Sequence, residues 1–260
     1  MELHHHPHPE KKGLKEYLLE GLMIFLAVSM GFIAENIREK FIENERAHEL
    51  AESLYQEVYA DSVKLQKIIT IRDIKEKALN NIINYFKDSS LINTSHHFYR
   101  KFTWTFVIQN ATNFEPADGI LTQLRNSGSL RYFKNNLLQK ECGELSVAIA
   151  KIRNREEFEV QYFQQYIRPV ALKFYNFGWY DEISKQGTIS IADAMLNEPN
   201  PKAPPIMSNA SLFNKTEIKN LVHFYLIILR TTRISHFNNY FKANHNLLAT
   251  LRKEYNLKAE

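Results

Sequence analysis

The chain of 260 residues has a single cysteine, Cys142, which excludes an intrachain disulfide framework and a zinc site built on thiolates. Glycine and proline number eight each, too few for a fold made of many turns, so the expected class is all-α. No dense basic block is present: 33 Lys and Arg stand against 29 Asp and Glu, for a net charge of +4, and no nucleic-acid partner is expected. A mean hydropathy of −0.38 excludes a chain that crosses a membrane many times, though not one that crosses once. What the sequence does have is 44% hydrophobic and 12% aromatic residues, enough for a packed core.

One apolar run dominates. Gly21 to Ala34 reads GLMIFLAVSMGFIA without a charge, and Tyr17-Leu18-Leu19 extends it back past the single Glu20. As a helix these roughly 18 residues measure about 27 Å, against a hydrocarbon core of about 30 Å, a gap that flanking side chains and local thinning can cover. A buried soluble helix would show a polar stripe, and this one is apolar all round. A cleaved signal peptide would fit the lysines, the apolar run and Ser29-Met30-Gly31, but the helical pattern continues through Ala34-Glu35-Asn36-Ile37-Arg38. An in-plane helix needs a charged face, which is missing. Residues 17–34 are therefore expected to form a transmembrane helix after a polar tail, 1–16, and before a helical-bundle domain, 35–260. Lys11, Lys12 and Lys15 balance Arg38, Lys40 and Arg46 across the span. The short lysine-bearing tail favours an N-terminus in the cytoplasm and a large domain in the periplasm, at a bacterial inner membrane. Ala27 and Gly31 form a small-xxx-small pair, with Gly21 and Ala34 nearby, and such residues let helices approach closely in lipid.

Beyond the span the chain reads as helices. From Glu35 to about Asp88 there is no Gly or Pro, and apolar residues recur every three or four positions from Ala47 through Leu50, Leu54, Val58 and Leu65 to Ile68. A bundle helix is expected, or a coiled-coil stalk, although Asp61 spoils a strict heptad; one break is expected near Arg72-Asp73. His96 to Ile108, rich in aromatics, fits a helix or a strand. Asp118 is a candidate N-cap and Gly128 a candidate helix-terminating residue. Lys134 to Lys173 reads as a long helix that Pro169 kinks or restarts. Residues 176–214, with Gly178, Gly187, Pro199, Pro201, Pro204 and Pro205, read as the one irregular Pro-rich loop, and Lys215 to Tyr255 as a final helix.

The order of lysines, LLEGLMIFLAVSMGFIAENIRE, a charged helix and FEPADGILTQLRNSGSLRYFKNNLL resembles a group of uncharacterised bacterial single-span membrane proteins with an N-terminal anchor and a helical domain. Leu124, Ser127, Gly128, Leu130, Phe133, Lys134 and Asn135 carry the pattern, which covers about the first 150 residues. The resemblance implies a topology and no activity.

No catalytic set emerges. Glu45-x-x-His48 has the helical spacing used by di-iron bundles but no second pair. Ser127-Gly128-Ser129 lacks the glycines and the Lys of a phosphate loop. Glu141 and Glu144 beside Cys142 would raise its thiol pKa. His96-His97, His223, His236 and His245 form no spaced ligand set. His4, His5, His6 and His8 are weak metal candidates, since Pro7 and Pro9 prevent a helical site. Phe174, Tyr175, Phe177, Trp179 and Tyr180 form either a cap packed on the last helix or a recognition surface for a peptide, glycan or headgroup. The expectation is a non-enzymatic scaffold or interaction subunit without cofactors, partnered by membrane lipid, by further copies of itself and by another membrane or envelope protein. The alternative is a module sensing a ligand or metal between bundle helices.

Overall fold

The computed structural model describes residues 13–88, 91, 96–186 and 207–257, which are mainly helical and contain no strand. The histidine tail, Gly187 and Pro199 to Pro205 lie outside the described residues. The chain divides into two compact units, Met1–Leu50 and Ala51–Glu260. Helix α1 (Leu14–Asp88) supplies all the described structure of the first unit except Gly13 and opens the second. With no Gly or Pro after Gly31 to interrupt it, it runs straight through Arg72-Asp73, where a break was expected. The break is unnecessary because Arg72, although fully buried, finds carboxylates on a neighbouring helix.

In the second unit α2 (His96–Phe106) is followed by an extended segment with one 3₁₀ turn, Asn110–Thr112, and by the short α3 (Gly119–Asn126). Gly128 takes φ +71°, the left-handed conformation that ends a helix without steric cost, and a 3₁₀ turn, Ser129–Tyr132, follows. The side chain of Asn135 then accepts from the N–H groups of Leu137 and Leu138 and starts α4 (Asn136–Tyr162).

A five-residue π-turn, Phe163–Ile167, separates α4 from α5 (Arg168–Phe174). Pro169 stands in the first turn of α5, where its missing N–H is harmless, so it restarts the helix. About the first quarter of the expected irregular loop is helix α6 (Phe177–Gln186): the side chain of Asn176 accepts from Trp179 N at 3.3 Å and outweighs Gly178. The final helix is likewise interrupted, α7 (Lys215–Thr231) and α8 (Asn238–Tyr255) being joined by a π-turn, Thr232–Phe237.

Helices α4 and α8 pack along one another, and α8 is tied to α1 by polar bonds. Tyr240 Oη donates to Asp61 Oδ2 at 2.8 Å, Asn244 Nδ2 to Val58 O at 2.8 Å and Arg252 Nε to Tyr55 Oη at 2.7 Å. Asp61 is thus a bundle residue whose carboxylate is used, which is why it breaks the heptad. Aromatic side chains of α2, α5, α6 and Phe213 fill one end of the core, with Phe102–Phe106 rings 4.3 Å and Phe174–Phe213 rings 4.7 Å apart.

Candidate functional site

Two regions stand out, one in each unit. In the first, the apolar run of α1 is buried by none of the described residues. Its side chains are exposed on every face, Phe25 at 67% and Phe32 at 68%, and an 18-residue window of mean hydropathy 1.9 is wholly unburied. This helix, near the N-terminus, is long and apolar enough to cross a membrane. At about 100° per residue, Ala27, Gly31 and Ala34 fall on one face, whereas Gly21 lies about 120° away from Ala27 on that count. Gly21 and Gly31 meet no atom within 4 Å of where a Cβ would stand, so the surface is open.

In the second unit the interior holds a charged node that the sequence reading did not single out. Arg72 of α1, fully buried, donates from Nη1 and Nη2 to both oxygens of Glu159 at 3.0 and 2.8 Å. Nη2 also donates to Glu156 Oε1 at 2.8 Å, and Nε to the carbonyl of Thr112 at 2.8 Å. The ring of Phe237 covers the guanidinium at 4.5 Å. Thr232, in the second π-turn, donates its hydroxyl to Glu159. One turn along α1, Lys75 is also fully buried; its Nζ donates to the carbonyl of Ile108 at 2.5 Å and lies 5.3 Å from the Phe163 ring and 5.2 Å from that of Tyr225. Both π-turns thus contribute side chains to the node, Phe163 from one and Thr232 and Phe237 from the other, consistent with the concentration of π-bulges at special sites in helices.

The node secures the irregular strap between α2 and α3. A segment without regular structure must find partners for its backbone elsewhere, and charged side chains supply them. Besides Ile108 and Thr112, Phe114 N donates to Glu156 Oε1 at 3.0 Å, Lys64 donates to Glu115 O at 2.5 Å and Arg153 to Pro116 O at 3.2 Å. Ala117 N donates to Asp61 at 2.8 Å. Asp118 stands at the N-cap position of α3 but makes no capping bond, because its carboxylate takes two bonds from Arg153, at 2.7 and 2.9 Å. The free N–H at the start of the helix, that of Ile120, is capped instead by Glu57 from α1, at 3.0 Å. A Cβ on Gly119 would stand 3.3 Å from that carboxylate, so the glycine of FEPADG makes room for it.

Burial, reinforced by the neighbouring Arg72 charge, pulls the Lys75 ammonium down to about 7. Burial lifts Glu156 to about 7 against the attraction of Arg72, with Glu159 adding to the rise, and Glu156 Oε2 is buried without a hydrogen-bond partner. The arrangement is therefore a charge clamp on the strap, with two groups whose proton affinities burial shifts toward neutrality.

The other expected site residues fall elsewhere. Phe174, Tyr175 and Trp179 are buried and only Phe177 is well exposed, so the five aromatics do not form a recognition surface. Tyr99 accepts from Asn176 N at 2.7 Å, Tyr175 and Thr103 share a bond of 2.8 Å, and Trp179 meets Tyr99 edge-on at 4.7 Å, which docks the α5–α6 corner on α2. Ser127 Oγ donates to Gln123 O and shares a bond with Ser129 Oγ, both at 2.7 Å, as a helix end does. Burial, with Glu141 nearby, pushes the Cys142 thiol up to about 12. Glu45, His48, His223 and His245 are exposed and His236 is half-buried; among the described residues no three His, Cys, Asp or Glu side chains come together as a metal site. A groove of about 370 Å³ runs between α4 and α8, floored by Ala148 and Ala243 and edged by Lys151, Lys242, Asn239 and Asn246.

No family model, no curated protein and no solved structure matches this chain. The node was nonetheless written in the register of the sequence. Arg72 and Lys75 fall at core positions continuing Leu65 and preceding Leu79 and Ile82, and Glu156 and Glu159 continue Leu145, Ile149 and Ile152. Opposite charges at the buried register of two helices were the signal available.

Proposed function

We propose that this chain is a single-pass membrane protein, similar to uncharacterised bacterial single-span proteins, whose helical domain is a scaffold or interaction subunit rather than an enzyme. The observation that carries the reading is the unburied apolar run of α1, which in water would expose a large continuous hydrophobic surface. A bilayer removes that cost, since a helix satisfies its own backbone bonds in lipid. Residues 17–34 are the span, with the short lysine-bearing tail in the cytoplasm and the domain in the periplasm of a bacterial inner membrane. Copies associate through the face of Ala27, Gly31 and Ala34, where small side chains permit close approach. The internal clamp supports a binding role, because a node that holds a strap rigid presents a fixed surface to a partner in the membrane or envelope.

Membranes from cells making the full chain test the anchor. The protein stays in the pellet through an alkaline carbonate wash and leaves it only with detergent; release into the carbonate supernatant overturns the proposal. Crosslinking in the membrane tests association: Gly31→Leu lowers the yield of crosslinked dimer, while Leu22→Ala does not. Affinity purification from solubilised membranes identifies the partner.

A further inference from the structure

We propose that Lys75 is a proton-linked lock on the strap of residues 107–118: the strap closes over the neutral amine, and opening it takes up a proton at Nζ. The geometry carries the argument. Nζ is fully enclosed, and its hydrogen-bond partner is the strap carbonyl of Ile108. Both carboxylates within electrostatic reach, Glu156 and Glu159 on α4, are already engaged by Arg72, and neither is within ion-pair distance of Nζ. The remaining walls are the Phe163 ring from the first π-turn and Tyr225 from α7, whose phenol burial holds far above its usual value, so it stays neutral. Arg72, one turn back on the same helix, repels a second cation. The acid nearest in sequence, Glu76, accepts from Arg233 at 2.7 and 2.8 Å and has Arg230 at 3.8 Å, so its charge is spoken for.

An ammonium in this position is desolvated without a carboxylate of its own, whereas a neutral amine keeps its N–H bond to Ile108 at no charge-burial cost. Lifting the strap removes the Ile108 carbonyl and admits water, and the exposed amine then protonates at ordinary pH. Opening and proton uptake are therefore linked. The depressed proton affinity of the closed form, with its half-point at about 7, sets the window. Above that pH the closed state holds fewer protons than the open one, and the opening equilibrium constant falls by up to tenfold for each pH unit until the exposed amine itself deprotonates.

Three of the node's side chains, Lys75, Arg72 and Glu156, also hold the strap, at Ile108, Thr112 and Phe114 respectively. Loss of the Lys75 contact is thus transmitted to the segment on which the FEPADG motif sits.

Hydrogen exchange of the full chain in detergent micelles tests the lock. Exchange of a peptide covering residues 107–118 is followed from pH 7 to pH 9 and corrected for the intrinsic tenfold acceleration per unit; a peptide from the middle of α8 is the control. The expected result is a fall in strap opening of about 50-fold over the two units, reduced or absent in Lys75→Met. A strap whose corrected opening does not change with pH, or changes equally in Lys75→Met, overturns the proposal. Should the variant fail to fold, chain carrying ¹³Cε-lysine decides alone: one lysine resonance titrates with a midpoint between pH 6 and 8 if the lock is real, and none does if it is not.

Discussion

Replacing Arg72 by Met isolates what the node contributes to stability. The methionine fills most of the aliphatic volume of Arg72, so the cavity term is small and the electrostatic one dominates. The variant removes three hydrogen bonds to carboxylates, of 2.8 to 3.0 Å, and one to the carbonyl of Thr112. It leaves Glu156 and Glu159 facing each other inside the bundle with only Thr232, Phe114 N and the distant Lys75 for compensation. Breaking a buried ion pair by removing one partner costs about 3–5 kcal/mol. With an m-value of about 2 kcal/mol per molar urea, the midpoint falls by about 2 M. The measurement is urea unfolding of the full chain in non-ionic detergent, followed by far-ultraviolet circular dichroism. A shift below about 0.5 M with unchanged slope refutes the reasoning, since it requires the two carboxylates to be solvated or protonated at no cost. The variant with Glu156→Gln and Glu159→Gln added distinguishes charge from packing: removing both anions recovers part of the loss, whereas a packing defect is left as it was.

Stability also depends on pH through two groups. Glu156 has its carboxyl raised to about 7, so its contribution is complete below its ordinary value near 4.5 and is lost as pH climbs through 7; Lys75 is lowered to about 7, so its contribution is complete above 10.5 and is lost as pH falls through 7. Their sum places a minimum in the urea midpoint near pH 7, with a rise toward pH 5 and toward pH 9, and a flat profile contradicts it. Gly128→Ala forces a side chain into φ +71° and costs about 1 kcal/mol in the same unfolding experiment. Asn135→Ala removes the cap from α4 and costs about 1 kcal/mol, with Asn135→Ser retaining most of it. Cys142 resists a maleimide at pH 8 in the folded chain and reacts at once in denaturant, because its buried thiol titrates only at about 12.

How much of this was legible in the sequence varied with the kind of physics involved. The long helices were, because 3.6-residue periodicity and an absence of Gly and Pro act locally: α1, α4 and α7–α8 lie where the apolar stripes put them. The role of Gly128 was also legible, since few residues tolerate its conformation. The course of residues 107–118 was not. Its bonds go to Asp61, Lys64, Arg72, Lys75, Arg153 and Glu156, as many as 56 residues away in sequence, and no local rule announces them. Asp118 shows the difference sharply: its type fits a cap, but Arg153 competes for the carboxylate and Glu57 takes over the capping. The aromatic cluster at Phe174 to Tyr180 could be read as surface or core, and its burial depends on α2, a partner the spacing does not name.

The two π-turns carry a consequence for how this chain can change over evolutionary time. Each widens its helix by about one residue relative to an α-helical path, and the phase of everything downstream is set by that extra residue. Deleting one position between Thr232 and Phe237 would swing Tyr240 and Asn244 by about 100°, away from Asp61 and the Val58 carbonyl that now receive them. Descendants of this gene can exchange side chains along the final helix with some freedom, but a single-codon gain or loss there would uncouple its last five turns from α1 at a stroke.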